Sequence, residues 1–194
     1  MRSRFVNMSV TVFWSFVFAL AGCQSSPKSN VQKTDMQAEV NDSSAKTLAA
    51  LYAVKPKAQE FIRGATGYAT FTNFGLKILV AGGGSGEGVA VNNSTGQKTY
   101  MRMVQVNAGL GWQAQKFRLV WVFTTQDALD NFINHGRELS ANASAAAAVD
   151  SAGAGADGSL AVGPGVYLFQ LTDTGVALQL TAQGTKYYKD EGLN

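Results

Sequence analysis

The amino-acid sequence predicts an α+β protein: an antiparallel β-sheet, a sandwich or barrel-like meander, packed with an N-terminal helix pair and one inserted helix. Three observations predict it. Between Tyr68 and Phe123, short β-branched and aromatic runs alternate with glycines and one polar turn, each run too short to be a helix. After Pro164 a period of two returns, with Tyr167, Phe169 and Leu171 before the turn Asp173-Thr174-Gly175 and Val176, Leu178 and Leu180 after it. Helical spacing of apolar residues is confined to the segments 43–64 and 124–136. The 194 residues, 46% apolar and 15% charged, suffice for one domain with its own core.

Taken in order, Arg2 and Arg4 precede an apolar run, Val10 to Ala21, too short to span a bilayer as a helix. That is the build of a secretory signal over residues 1–22. It ends in Leu20-Ala21-Gly22-Cys23, which resembles the bacterial lipobox. The resemblance implies that Cys23 becomes the first residue of the mature chain, thioether-linked to diacylglycerol and acylated on its amine. An ordinary signal peptide or membrane anchor with a chance cysteine is the alternative. Cys23 is the only cysteine, so disulfides are excluded and lipidation would consume the one thiol. Three acyl chains at about 0.8 kcal/mol per buried CH₂ amount to tens of kcal/mol, so the anchor alone would settle attachment. By resemblance to Gram-negative lipoproteins, Gln24 rather than Asp implies sorting to the outer membrane, facing the periplasm.

Residues 23–44 are rich in Ser, Gln, Asn and Lys and lack apolar periodicity, so they are expected to be a flexible tether spanning about 25 Å as a coil. The folded domain is expected over 45–194. Ser43 or Ser44 can cap a first helix with Leu48, Leu51 and Tyr52 on one stripe. Pro56 breaks it and suits the first turn of a second helix that carries Phe61 and Ile62 and stops at Gly64. Lys46, Lys55, Lys57 and Arg63 decorate this pair. One reading is an interfacial amphipathic element; the other is a pair packed on the sheet with a solvated polar side.

The strands expected next are Leu76–Ala81, Gly88–Val91, Lys98–Val106 and Lys116–Phe123, with the clearest turn at Asn92–Gly96. Leu119 to Phe123 is apolar throughout, so both its faces should be covered, and it is the best candidate for the sheet's centre. The run Gly82–Gly88 contains neither GxGxxG nor GxxxxGK and precedes a strand, so it is read as close backbone approach or a bulge rather than a phosphate loop. Thr124 and Thr125 open the inserted helix, with Ala128, Leu129, Phe132 and Ile133 facing the sheet and His135 half-buried at the stripe's edge. The Ala-, Gly- and Ser-rich stretch after Ala141 is expected to contain a small-residue strand, Ala143–Val149, then a loop. Lys186, Tyr187 and Tyr188 come last, where an aromatic pair can close the core.

Chemistry is sparse. With one histidine, one cysteine and no carboxylates at ligand spacing, neither a metal centre nor a nucleophilic triad is expected, and no cofactor. Setting aside Arg2 and Arg4 leaves 14 basic against 13 acidic side chains, about +1, which provides no whole-protein argument for nucleic acid.

From about Ala45 to Asn194 the chain resembles a SYLF domain, a lipid-binding module, and in particular its bacterial lipoprotein branch. The likeness rests on GGGSGEGVAV at 82–91, TYMRM at 99–103, GLGWQAQKFRLVWVF at 109–123, ALDNFINHGRE at 128–138, and the stretch from Val166 to Asn194. The resemblance implies binding of anionic phospholipid head groups through an N-terminal amphipathic helix and nearby basic residues. The helix here is alanine-rich with few basic residues, which weakens that transfer. Phosphatidylglycerol or cardiolipin would replace the phosphoinositides of eukaryotic relatives. On this expectation Lys55, Lys57, Arg63 and Lys77 neutralise phosphate while Leu48, Leu51 and Phe61 enter the interface. The competing expectation is a non-enzymatic envelope protein that docks a protein partner, with the basic residues serving solvation only.

Overall fold

A computed structural model describes residues 30–72, 83–106, 117–139, 158–172, 175–177 and 184–194. Cys23, Lys77 and the expected strands Leu76–Ala81 and Ala143–Val149 lie outside them. The fold is α+β, as the sequence predicts. Helices α1 (Asn30–Val54) and α2 (Lys57–Gly64) are followed by strands β1 (Gly67–Thr72), β2 (Gly83–Asn92), β3 (Lys98–Val106) and β4 (Arg118–Phe123). Helix α3 (Gln126–His135) then leads into β5 (Arg137–Leu139), β6 (Leu160–Gly163), β7 (Val166–Thr172), β8 (Gly175–Ala177) and β9 (Thr185–Lys189).

Among the described residues the strands form one antiparallel sheet in the order β5-β9-β3-β2-β1-β4-β7-β6, with β8 also paired to β7. Its two ends approach each other, because Arg137 on β5 donates from Nη2 to the Val162 carbonyl on β6. Of the two expected architectures, the curled, barrel-like one is realised.

β4 is the strand whose composition says most. Leu119, Trp121 and Phe123 point inward to a core shared with Phe71, Met101, Met103, Phe132, Leu168 and Tyr187. Val120 and Val122 point outward to the helix pair. Both faces are therefore covered, as five consecutive apolar residues require. β4 lies between β1 and β7, one place from the middle of the sheet. Strand β1, which the sequence does not set apart as a strand, lies between β4 and β2.

The turn at Asn92–Gly96 forms as expected. The Asn92 side chain accepts from the backbone N–H groups of Ser94 and Thr95, and Gly96 takes a φ of +71°. From Gly83 the glycine run is strand, and close approach is the reason for Gly86 and Gly88. A Cβ on Gly88 would lie 2.3 Å from the Thr70 carbonyl oxygen and 2.4 Å from the Phe71 ring. Thr125 caps α3 by accepting from the Ala128 N–H. Leu129 and Phe132 of α3 plug the inner core, while His135 is exposed rather than half-buried. Of the closing aromatic pair, Tyr187 is fully buried and Tyr188 is 36% exposed.

The largest departure is α1. It begins at Asn30, so the coil expected for 23–44 does not hold over 30–44, and neither Ser43 nor Ser44 caps it. The folded unit thus starts before Ala45. The docked stripe is Val40, Ser44, Thr47 and Leu51, spaced four, three and four residues apart. Two of these four are polar, which hides the stripe from a hydropathy reading. The sheet supplies their partners: Thr70 donates to Ser44 Oγ at 2.7 Å, and the Thr47 and Thr72 hydroxyls are 3.3 Å apart. Farther toward Asn30, Gln37 and Lys33 donate to the backbone carbonyls of Leu193 and Asn194. Leu193 packs with Val40, Val89 and Tyr100.

Candidate functional site: the aromatic and basic surface of the helix pair

α2 follows Pro56, whose φ of −57° and ψ of −36° already suit a helix. Ala58 and Ile62, four residues apart, are its buried positions. By the 100° step, Lys57, Glu60, Phe61 and Gly64 share the opposite, outward side, with Arg63 flanking. With Ala65 and Thr124 they line a shallow hollow of about 440 Å³.

Phe61 is half-buried. Its ring meets Tyr167 edge-on at 5.3 Å and Phe169 at 6.5 Å. Tyr167 belongs to a row that register creates, since Tyr68 on β1 pairs with Val122 on β4 and Val122 pairs with Tyr167 on β7. Tyr52 of α1 packs against the same cluster. These four rings are each partly buried, and the three tyrosines among them present an apolar body with a polar tip, the arrangement favoured where one side of a ring is dry and the other wet. Burial raises the pKa of Tyr68. Burial and Tyr68 together raise that of Tyr52, against a smaller opposing pull from the Arg63 charge.

The basic residues expected here are brought together only in part. Lys57 and Arg63 are exposed at opposite ends of α2, with the exposed Glu60 between them. Lys55 is half-buried in the α1–α2 junction, where its Cε would sit 3.0 Å from a Cβ built on Gly158. The apolar residues divide as well. Leu51 is fully buried against Ile62, Val120 and Phe169, so the expectation that it enters a bilayer is corrected: it already has its apolar environment in the core. Leu48 is half-buried against the same cluster, and of the three only Phe61 opens onto the hollow.

α1 also departs from the amphipathic helix that the resemblance implies. Its outward side carries exposed Asp35, Glu39 and Asp42 against Lys46, and Lys46 is itself paired with Asp42 at 2.5 Å. Such a face is repelled by an anionic surface. Sequence reasoning missed Tyr52, Tyr68 and Tyr167. The alternation of β7 put Tyr167 and Phe169 on one face, but nothing local placed Tyr68 two strands away. Among the described residues no helix is long and apolar enough to cross a membrane, and no three His, Cys, Asp or Glu side chains could hold a metal.

No family model matches the chain. It is similar to Beta cell expansion factor A of Aeromonas veronii, at 28% identity over 154 residues. The match covers 79% of this chain and 57% of that protein, so the chain spans somewhat more than half of its relative's length.

Proposed function

We propose that the chain is a SYLF-type envelope lipoprotein, anchored through Cys23, whose domain presents the α2 surface to anionic phospholipid head groups. The observation that carries this reading is the juxtaposition on one surface of Phe61, a ring of half-buried tyrosines, and the exposed charges of Lys57 and Arg63. A phenylalanine at a rim flanked by basic groups matches the chemistry of a head-group layer, where aromatic rings settle and cations meet phosphate. Lys55 and Lys77 belong to the same expectation, and a protein partner in the envelope is its competitor.

The helical start at Asn30 changes the geometry of anchoring. Residues 24–29 separate Cys23 from α1, a contour of at most about 25 Å. The 25 residues of α1 extend about 37 Å, and α2 lies at the far end. With a tether of up to about 25 Å and a helix of about 37 Å, the α2 surface would reach the anchoring leaflet only with α1 inclined back toward it within about 40° of the membrane plane, a pose that the acidic outer side of α1 opposes. A facing bilayer is the more accessible target.

Flotation with phosphatidylglycerol vesicles tests the reading, using the chain from Gln24 at low salt. At about 1 kcal/mol for each basic residue near such a surface, Lys57→Ala with Arg63→Ala should weaken association about thirtyfold, while Lys98→Ala leaves it unchanged. Absence of flotation at low salt, or equal flotation of the double variant, refutes it. A stoichiometric protein captured from membranes independently of lipid would favour the docking alternative.

A further inference from the structure

The second feature of chemical interest is Arg137, at the seam where the curled sheet's ends meet. α3 closes at Gly136, whose φ of +71° suits glycine and whose Cβ, if present, would lie 2.2 Å from the Tyr187 carbonyl oxygen. The turn places the Arg137 guanidinium over the Trp121 indole, 5.8 Å from the ring centroid. Gly163 makes room for it, since a Cβ there would come within 2.8 Å of Nη2. The Val162 carbonyl takes one of five N–H donors.

What this cation lacks, among the described residues, is a carboxylate. Arg102 is the comparison. It pairs with Asp190 at 2.6 Å, and this bond, with the charges of Asp190 and Glu87, raises its pKa despite burial. Arg137 is half-buried and its pKa is lowered, with burial as the cause and no anion opposing it. It opens into a groove of about 740 Å³ between α3 and the β6–β7 turn, lined also by Thr125, Asp127, Asn131, Phe132 and Glu138. Asp127 and Glu138 are exposed and bring two carboxylates to its lining.

We propose that this groove binds a singly charged oxyanion, a carboxylate or a phosphodiester, seated on the free edge of the Arg137 guanidinium. The planar fork suits two oxygens of one group, which would supply the counter-charge that the described residues do not. The Asp127 and Glu138 carboxylates set the charge limit: they repel a dianion more than a monoanion. The groove shares no lining residue with the α2 hollow, although Thr124 of that hollow precedes Thr125 of the groove, and it does not depend on membrane contact there.

The test is a titration of the full chain in nonionic detergent, followed through the Arg137 Nε–H nuclear resonance. Dimethyl phosphate and acetate should each shift it saturably, and sulfate at matched ionic strength should bind about fivefold more weakly. Asn131→Trp fills the groove without touching the Val162 bond and should abolish the saturable shift, read there at the same resonance. Arg137→Gln should abolish the saturable shifts of the other groove resonances. Short-chain phosphatidylglycerol micelles that displace dimethyl phosphate identify a lipid as the source of the phosphodiester, whereas displacement by soluble glycerophosphodiester alone identifies a free metabolite; either supports the site. Linear, equal shifts with every anion overturn the proposal, as does undiminished saturation in folded Asn131→Trp. If Arg137→Gln does not fold, the Asn131 variant decides.

Discussion

The assignment of Leu51 to the core rather than to a membrane makes a sharp prediction. Leu51 is 0% exposed and packs with Ala58, Ile62, Val120 and Phe169, joining both helices to the outer face of the sheet. Leu51→Ala removes three buried carbons and leaves a void bounded by β-strands that cannot easily collapse. Leucine truncations in such settings cost about 2–5 kcal/mol. For a folded unit of this size each kcal/mol shifts the melting midpoint by about 2–4 °C, so a loss on the order of 10 °C is expected. Half-buried Leu48→Ala should fall clearly below that. The assay is thermal and urea unfolding followed by circular dichroism, with vesicle flotation of the same variants at a temperature where all are folded. If Leu51→Ala melts within about 1 °C of the parent yet loses vesicle binding, the side chain faces lipid and the packing of α1 on the sheet is misassigned.

Three further outcomes follow from the packing. Gly88→Ala drives a methyl group against the Thr70 carbonyl, a backbone atom that cannot swing aside, and should cost about 1–3 kcal/mol or more in urea unfolding; Gly96→Ala, with open space but a φ of +71°, should cost about 1 kcal/mol. Among the described residues the Tyr187 hydroxyl is buried beside Trp121 Nε1 and Thr185 Oγ1, which pull its pKa down against the larger rise from burial yet meet it with no well-formed hydrogen bond, so Tyr187→Phe should leave stability at pH 7 within about 1 kcal/mol of the parent or above it, and a loss beyond about 2 kcal/mol would reveal a bonded hydroxyl. Tyr52, Tyr68 and Tyr187 all have pKa values raised above the ordinary 10.0, chiefly by burial, so the folded chain holds their protons more tightly than the unfolded one. Stability from this source is complete below pH 10 and falls as the pH rises beyond it, and urea midpoints from pH 8 to 11.5 should show that fall, shallower in Tyr187→Phe.

Where a signal is local, the chain is readable. β3 occupies Lys98–Val106 as its composition predicts, the Asn92–Gly96 turn forms through Asn92 and Gly96, and the uniformly apolar β4 is covered on both faces. α2 starts after Pro56 and ends at Gly64. The first half of α1 was not readable, because Val40 is its one buried position and Lys33 and Gln37 dock through the Asn194 and Leu193 backbone oxygens, while farther along the stripe the Ser44 and Thr47 hydroxyls acquire a reason only opposite Thr70 and Thr72. The same limit applies to the sites. Lys57, Arg63 and Phe61 could be found from their spacing, but the tyrosines beside Phe61 come from three separate elements, and Arg137 stands out only once its lack of a carboxylate among the described residues is visible.

The amino-acid sequence by itself determined the α+β class, most of the strand segments and the positions where the backbone must turn. These depend on periodicity and on residues with special φ preferences, which act over a few neighbours. Only the tertiary structure decided which apolar side chains remain at the surface, that α1 reaches back to Asn30, and that an arginine without a counter-ion among the described residues closes the seam of the sheet. Burial and charge pairing are properties of what lies opposite a side chain, and in an antiparallel sheet that neighbour is brought from far along the chain.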